Sequence, residues 1–414
     1  MNKKVAFASV AFAILVIAPS ITGGGIPAVT DGNAETHINY MNNETDDIPH
    51  FYSPLTDCFN RGEGEIIGET ALASSSVMLF DYDNDGDMDF IIDTLLYVNC
   101  NGKYEIKQLN LYNENPVEFL YGGMAHADFN NDGKEDFVTG GINGVIRLFI
   151  NNCSVQDGEP RFEMHVIANL KENEDMSPDA YGLTSADFNK DGNMDFAVSY
   201  RGNTMFMQKI DIFYNNGSLG FARENVYAVG NDTRGDIRDL ESGDFDNDGD
   251  IDIIFTYDTV KKCYGDLLVN NQGVASIIFN DGKNNFGNET MIALRGCPIL
   301  IGGRNVLIWR EILMRIGFNR INPQLTCADY DTDGDIDFLW GDNSGKVEMF
   351  ENDGMGNFTS PGKFVKGIIH DFGRASWGLD SADFDNDGDI DFIVVAANMK
   401  ELRGYAYLKI NQIQ

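Results

Sequence analysis

The sequence predicts an all-β fold: a β-propeller of four-stranded blades, six of them with seven as the alternative, carrying a cation-binding loop between the first two strands of each blade. Three observations predict it. An acidic stretch of fixed pattern recurs six times along the 414 residues, each copy is followed by a short run of β-branched and aromatic residues, and each repeat later closes an apolar run on an asparagine.

The acidic stretches are FDYDNDGDMDF (80–90), ADFNNDGKEDF (127–137), ADFNKDGNMDF (186–196), GDFDNDGDIDI (243–253), ADYDTDGDIDF (328–338) and ADFDNDGDIDF (382–392). Counted from the first aspartate, positions 1, 3, 5 and 9 always carry Asp or Asn, position 6 is Gly and position 2 is Phe or Tyr. A solvated acidic run has no reason to keep a two-residue rhythm around one glycine. A hard cation does, because it takes about six to eight oxygens, which alternate side chains and a position-7 carbonyl of a tight loop can supply. Asp-Gly is also an ordinary hairpin signal, but a turn needs only one or two such residues. The EF-hand alternative fails at the flanks: its loop closes with Glu at position 12, where this chain has Ile92, Thr139, Val198, Phe255, Trp340 and Val394.

After each loop come DFIIDTLLYV, DFVTGG, DFAVSY, DIIFTY, DFLWG and DFIVVAA, which read as strands, so the cation closes a β-hairpin. The asparagine marks are LNLYN to Asn113, RLFIN to Asn151, DIFYN to Asn215, SIIFN to Asn280, EMFEN to Asn352 and YLKIN to Asn411, several leading into turns such as NDGKNNF. The unit is strand, loop, strand, strand ending at the Asn turn, strand. At a repeat spacing of roughly 50–60 residues this fits a propeller blade better than a solenoid. The long interval from Asp244 to Asp329 reads as two insertions, one around VLIWREILMRIGF (306–318) with helix-like spacing or a strand pair, rather than a seventh blade. The last repeat lacks a fourth strand, and GEIIGETALA (64–73) has the strand character to supply it and close the ring.

The repeated loop resembles the FG-GAP/VCBS family, the calcium-loop β-propellers that include the head of integrin α subunits. The likeness covers about residues 70–414. It implies about six Ca²⁺ sites, with side-chain oxygens at positions 1, 3, 5 and 9 and the main-chain carbonyl at position 7. These are Asp81, Asp83, Asp85, Asp87 and Asp89; Asp128, Asn130, Asp132, Lys134 and Asp136; Asp187, Asn189, Asp191, Asn193 and Asp195. The remaining three sets are Asp244, Asp246, Asp248, Asp250 and Asp252; Asp329, Asp331, Asp333, Asp335 and Asp337; Asp383, Asp385, Asp387, Asp389 and Asp391. Asp87 contributes its backbone while its carboxylate faces water. Asn130 and Asn189 lower the ligand charge of the second and third loops, which should bind more weakly.

A formal net charge of −35 excludes nucleic acid as a partner, since phosphate recognition needs Lys and Arg clusters. Hydrophobic content of 43% is enough for a packed core. Lys3, Lys4 and the apolar run Val5–Ala18 read as a secretory signal within 1–23, too short to span a bilayer, followed by an N-terminal segment at 24–60 and the propeller at 61–414. The mature chain is then secreted or at the cell surface, with no membrane span. Of Cys58, Cys100, Cys153, Cys263, Cys297 and Cys327, the last three favour a local disulfide, and no spacing fits zinc. Sequons at Asn43, Asn152, Asn216, Asn231, Asn288 and Asn357 suit an exported chain and carry little weight.

No catalytic constellation stands out: there is no nucleophile elbow, phosphate loop or zinc signature, and His126 reads as a packed or surface residue. Tyr181 and Trp377, each before a glycine (Gly182, Gly378), fall where a propeller face begins; they read as packed between blades rather than as a sugar platform. The expected function is a calcium-stabilised binding or adhesion module for an extracellular protein or glycan. The alternatives are a structural component of an extracellular assembly or cell envelope, and a calcium-dependent polysaccharide-active enzyme.

Overall fold

Strands begin where each acidic loop releases its apolar run. The computed structural model describes residues 65–411 outside 71–75, 93, 101, 110–122, 142–143, 154–159, 172–177, 203–206, 230–233, 262–269, 284, 299–323, 342–346, 360–363, 366–375 and 399–402. The expected leader at 1–23, the segment at 24–60 and the element at 306–318 lie outside the described residues.

The first strand, β1 (Glu65–Thr70), precedes six antiparallel sheets. Blade 1 is β2 (Val77–Phe80), β3 (Asp89–Ile92), β4 (Leu95–Asn99) and β5 (Tyr104–Gln108). Blade 2 is β6 (Met124–Ala127), β7 (Asp136–Thr139), β8 (Val145–Asn151) and β9 (Phe162–Asn169). Blade 3 is β10 (Ala180–Ala186), β11 (Asp195–Arg201), β12 (Gln208–Asn215) and β13 (Phe221–Val229). Blade 4 is β14 (Arg234–Gly243), β15 (Asp252–Lys261), β16 (Asn270–Ile278) and β17 (Thr290–Pro298). Blade 5 is β18 (Gln324–Ala328), β19 (Asp337–Gly341) and β20 (Val347–Asn352), with β21 (Phe358–Thr359) and β22 (Phe364–Val365) sharing its outer side. Blade 6 is β23 (Ser376–Ala382), β24 (Asp391–Asn398) and β25 (Arg403–Lys409).

The strand missing from blade 6 is β1, which pairs antiparallel with β25 through Ile66↔Tyr407 and Gly68↔Ala406. A Cβ on Gly68 would stand 3.3 Å from the Tyr97 ring, so glycine lets the closing strand lie against blade 1. Each inner strand (β2, β6, β10, β14, β18, β23) packs on the next, and β23 packs on β2, so the ring closes at six. The long fourth interval is absorbed by blade 4, whose strands run to nine or ten residues, and by 299–323 beyond them.

Among the described residues there is one hydrophobic core per blade interface. The cluster holding Tyr82, Phe137 and Phe149 joins blades 1 and 2, that holding Phe129 and Phe196 joins blades 2 and 3, and the series runs round to Phe384, Phe90 and Tyr97 between blades 6 and 1. In every case the aromatic at loop position 2 (Tyr82, Phe129, Phe188, Phe245, Tyr330, Phe384) is buried in the interface that follows its own blade. Within blades, Phe90–Tyr97, Phe137–Phe149, Phe196–Phe213 and Phe338–Phe350 are stacked cross-strand pairs with centroids 4.5–4.8 Å apart. Around the axis, Thr184 and Ser242 hydroxyls meet at 2.8 Å, and Thr326 and Ser381 at 2.7 Å. Asp380 and Asp239 accept the Leu79 and Leu325 backbone N–H groups of the following blades.

Two sequence expectations are corrected. Cys100, Cys153 and Cys327 are unbridged, which takes Cys327 out of the expected local disulfide; it lies on inner strand β18 and packs on the blade 4–5 core. The asparagine mark of the first repeat is Asn99 of LLYVN, at the end of β4, because the third strand of blade 1 follows its loop at once; Asn113 lies outside the described residues.

Candidate metal centres

Each acidic loop joins the inner strand of a blade to the second, and two left-handed residues fold it back on itself. Position 4 (Asn84, Asn131, Lys190, Asn247, Thr332, Asn386) has φ of 57–60°, and the position-6 glycines have φ of 85–98°. At Gly86, Gly133, Gly192, Gly334 and Gly388 an added Cβ would meet nothing within 4 Å, so backbone conformation rather than space calls for glycine. Asn tolerates the left-handed region at position 4; Lys190 and Thr332 suit it less well.

The carboxylates then organise the turn in the same way in all six loops. The position-1 carboxylate accepts the position-5 N–H at 3.0–3.2 Å and the position-6 N–H at 2.8–3.0 Å. The position-5 carboxylate accepts the position-7 N–H at 2.9–3.2 Å. Position 9 is almost fully buried: its Oδ2 accepts the position-2 N–H at 2.9–3.3 Å, and its Oδ1 accepts the N–H of the third-strand asparagine at 2.6–2.8 Å. Burial pushes these carboxyls up to about 7 at Asp89, Asp136, Asp195 and Asp252, about 8 at Asp337 and about 6 at Asp391, against the backbone bonds that pull them down.

Oxygens from several positions converge. In loops 1, 4 and 5, ligand atoms of positions 1, 3 and 5 all lie within 4.8 Å of one another, as do those of Asp383, Asp385 and Asp391 in loop 6. That is the separation of oxygens on opposite sides of an ion at about 2.4 Å, the Ca²⁺–oxygen distance. Asp83 Oδ1 and Asp331 Oδ1 are buried and meet no hydrogen-bond donor among the described residues, as expected of atoms reserved for a cation. The donor set of hard oxygens, without nitrogen or sulfur, suits Ca²⁺ over softer metals. Loops 2 and 3 differ: the Asn130 and Asn189 amides donate to Asp132 Oδ2 at 3.1 Å and Asp191 Oδ2 at 3.2 Å, so an N–H group partly takes the place of positive charge there.

The sequence also pointed to a residue without giving it a role. The third-strand asparagines Asn151, Asn215, Asn280, Asn352 and Asn411 donate from Nδ2 to the position-8 carbonyl of their own loop (3.1–3.2 Å) and to the position-2 carbonyl of the preceding blade's loop (2.8–3.3 Å). Their fixed place at a strand end was the legible signal; the partner one blade away was not.

Position-7 carboxylates do not simply face water. Lys190 of loop 3 holds Asp250 of loop 4, and Asn247 of loop 4 donates to Asp335 Oδ1 of loop 5 at 2.7 Å. The glycines of the third-strand turns, Gly282 and Gly354, sit against those two carboxylates, where a Cβ would clash. His126 pairs with Glu135 at 3.2 Å. Tyr181 packs between blades, as expected: its hydroxyl bonds Asp179 and its ring carries the Arg238 guanidinium of blade 4 at 4.5 Å. The Trp377 side chain lies outside the described residues.

A family model for the FG-GAP-like repeat matches residues 128–198, 187–255 and 329–394. These segments are FG-GAP-like repeats. Each match starts at the first aspartate of one loop and ends on the second strand of the next blade, so the family pattern spans two successive loops. No curated protein matches the chain. Among solved structures it is similar to one described as "Structure of Dos1 propeller", at 11% identity and a TM-score of 0.39, covering 78% of this chain and 74% of that one. Among the described residues no helix is long and apolar enough to cross a membrane.

Proposed function

We propose that this chain is an extracellular propeller of FG-GAP-like repeats, stabilised by calcium, that serves as a binding module for a protein or glycan and has no catalytic role. The observation that carries the calcium reading is the convergence of carboxylate oxygens in loops 1, 4, 5 and 6. Twenty-two carboxylates at positions 1, 3, 5 and 9 repel one another until cations enter, and the cages exist only when the hairpins are folded. Metal affinity then becomes folding free energy. Asp81, Asp83, Asp85, Asp89 and the Asp87 carbonyl would hold the first ion, and the equivalent residues the other five. What calcium supplies is rigidity: six pinned hairpins fix the disc that presents its connecting loops to a partner.

The test is a thermal melt of the mature protein with calcium, with magnesium and with excess chelator, alongside metal content by mass spectrometry. The expected result is a calcium-specific rise in Tm with about six ions bound, on the reading of one per loop. No shift and no bound metal would reduce the loops to acidic turns. Retention of the calcium-loaded protein on immobilised glycans or extracellular proteins, without turnover, then tests the binding role.

A further inference from the structure

Resting on the calcium reading, we infer that loops 1 to 5 form a coupled series, in which occupancy of one site is felt by its neighbour through the position-4 side chain. The links run in one direction. Asn84 Nδ2 donates to Gly133 O at 2.7 Å, from loop 1 position 4 to loop 2 position 6. Asn131 Nδ2 donates to Asn193 Oδ1 at 3.2 Å, Lys190 Nζ binds the Asp250 carboxylate, and Asn247 Nδ2 donates to Asp335 Oδ1 at 2.7 Å, each from position 4 of one loop to position 7 of the next. Position 4 is also the left-handed residue on which each loop turns.

The consequence follows from where the two ends of each link sit. Position 4 lies between two ligand positions, 3 and 5, and moves with them when an ion draws them in. Positions 6 and 7 belong to the turn whose carbonyl is a ligand of the next ion. A cation that orders one loop therefore fixes the bridging amide, and the amide orders the ligand-bearing turn of its neighbour before that neighbour is filled. The third-strand asparagines run beside these links, joining position 2 of one loop to position 8 of the next, so the second loop has little freedom to absorb the movement elsewhere. Occupancy spreads from the all-carboxylate loops towards the two asparagine-bearing ones.

The test uses the full chain and calcium alone, by isothermal titration calorimetry. Asn247→Gly removes the link between loops 4 and 5 while keeping the left-handed turn unstrained, and Asp333→Asn disables loop 5. In the wild-type background Asp333→Asn should lower the bound count by about one and weaken one further site, that of the linked loop 4, about 5-fold, at the low end of measured couplings between sites. In the Asn247→Gly background it should lower the count by about one and leave the remaining affinities within about 2-fold. Equal weakening in both backgrounds overturns the coupling while leaving the calcium reading intact. Absence of calcium binding by the wild-type chain overturns both. Should Asp333→Asn fail to fold, Asn84→Gly combined with Asp132→Asn at loops 1 and 2 asks the same question, with the same outcomes, at an independent interface.

Discussion

Asn352 donates its backbone N–H to Asp337 Oδ1 at 2.8 Å while its side-chain amide reaches the carbonyls of Ile336 and, one blade back, Phe245. Its own Oδ1 accepts the Asp353 N–H at 2.9 Å. Both amide hydrogens donate and the amide oxygen accepts, and no other side chain of that size both donates twice and accepts.

Replacing it should therefore be costly. Asn352→Ala strands the buried Phe245 carbonyl and the half-buried Ile336 carbonyl and is expected to lower stability by about 2–4 kcal/mol. Asn352→Asp should be worse, since a carboxylate cannot donate and would face two carbonyl oxygens. Chemical unfolding of the calcium-loaded protein measures both; equal stability for the two variants would contradict the donor role.

Asp252→Ala removes the buried carboxylate that holds the Phe245 and Asn280 N–H groups and closes loop 4. The bound calcium count should fall by about one, with the melt shifted down accordingly. An unchanged count by mass spectrometry would count against position 9 as a ligand.

In the opposite direction, Asn130→Asp and Asn189→Asp exchange a self-satisfying amide for a ligand charge. Both should tighten the weakest sites in a calcium titration, and unaltered affinity would separate those loops from the metal-binding set.

Thr332 occupies the left-handed position with φ 60° and is exposed. Its branched Cβ is the least suited of the six residues found there, so Thr332→Asn, matching four of the other loops, should stabilise by about 1 kcal/mol. A lower Tm for the variant would show that the hydroxyl has a role outweighing the backbone preference.

The axis of the disc carries a pH dependence of definite sign. Burial raises Asp239 to about 7 and Asp380 to about 6, against backbone N–H groups that pull both down and His126, which lowers Asp380. Glu241, on the same strand as Asp239, is raised as well, by burial and then by the charges of Asp239 and Asp380. The folded state thus holds these protons more tightly than the unfolded chain. Their stabilisation is complete below the ordinary carboxylate range near 4 and is lost as pH rises through about 6 and 7. In saturating calcium the Tm should fall across that window, and Asp239→Asn with Asp380→Asn should flatten the slope. A wild-type Tm that rises with pH there would contradict the assignment.

Much of this was legible in the chain. The six loops, the four-strand unit, the closing strand before blade 1 and the aromatic at position 2 follow from local rules: a glycine where the backbone must turn left-handed, a period of two through the strands, an asparagine at a strand end. The first asparagine mark was misplaced because LLYVN and LNLYN are equivalent as text. Only pairing in space shows that Asn99 meets Asp89. The suggested bridge through Cys327 failed for a similar reason, since spacing says nothing about which way a thiol points.

Sequence by itself determined the repeating hairpin and the carboxylates gathered on it, because both arise from residues within about ten positions of one another and obey short-range sterics. Tertiary structure alone decided what lies between repeats: the core shared by each pair of blades, the reach of Asn352 to Phe245, and the Asn247 link to Asp335. Those contacts join residues some 90 or 100 positions apart, and they are set by how twisted sheets pack around an axis, which no local pattern encodes.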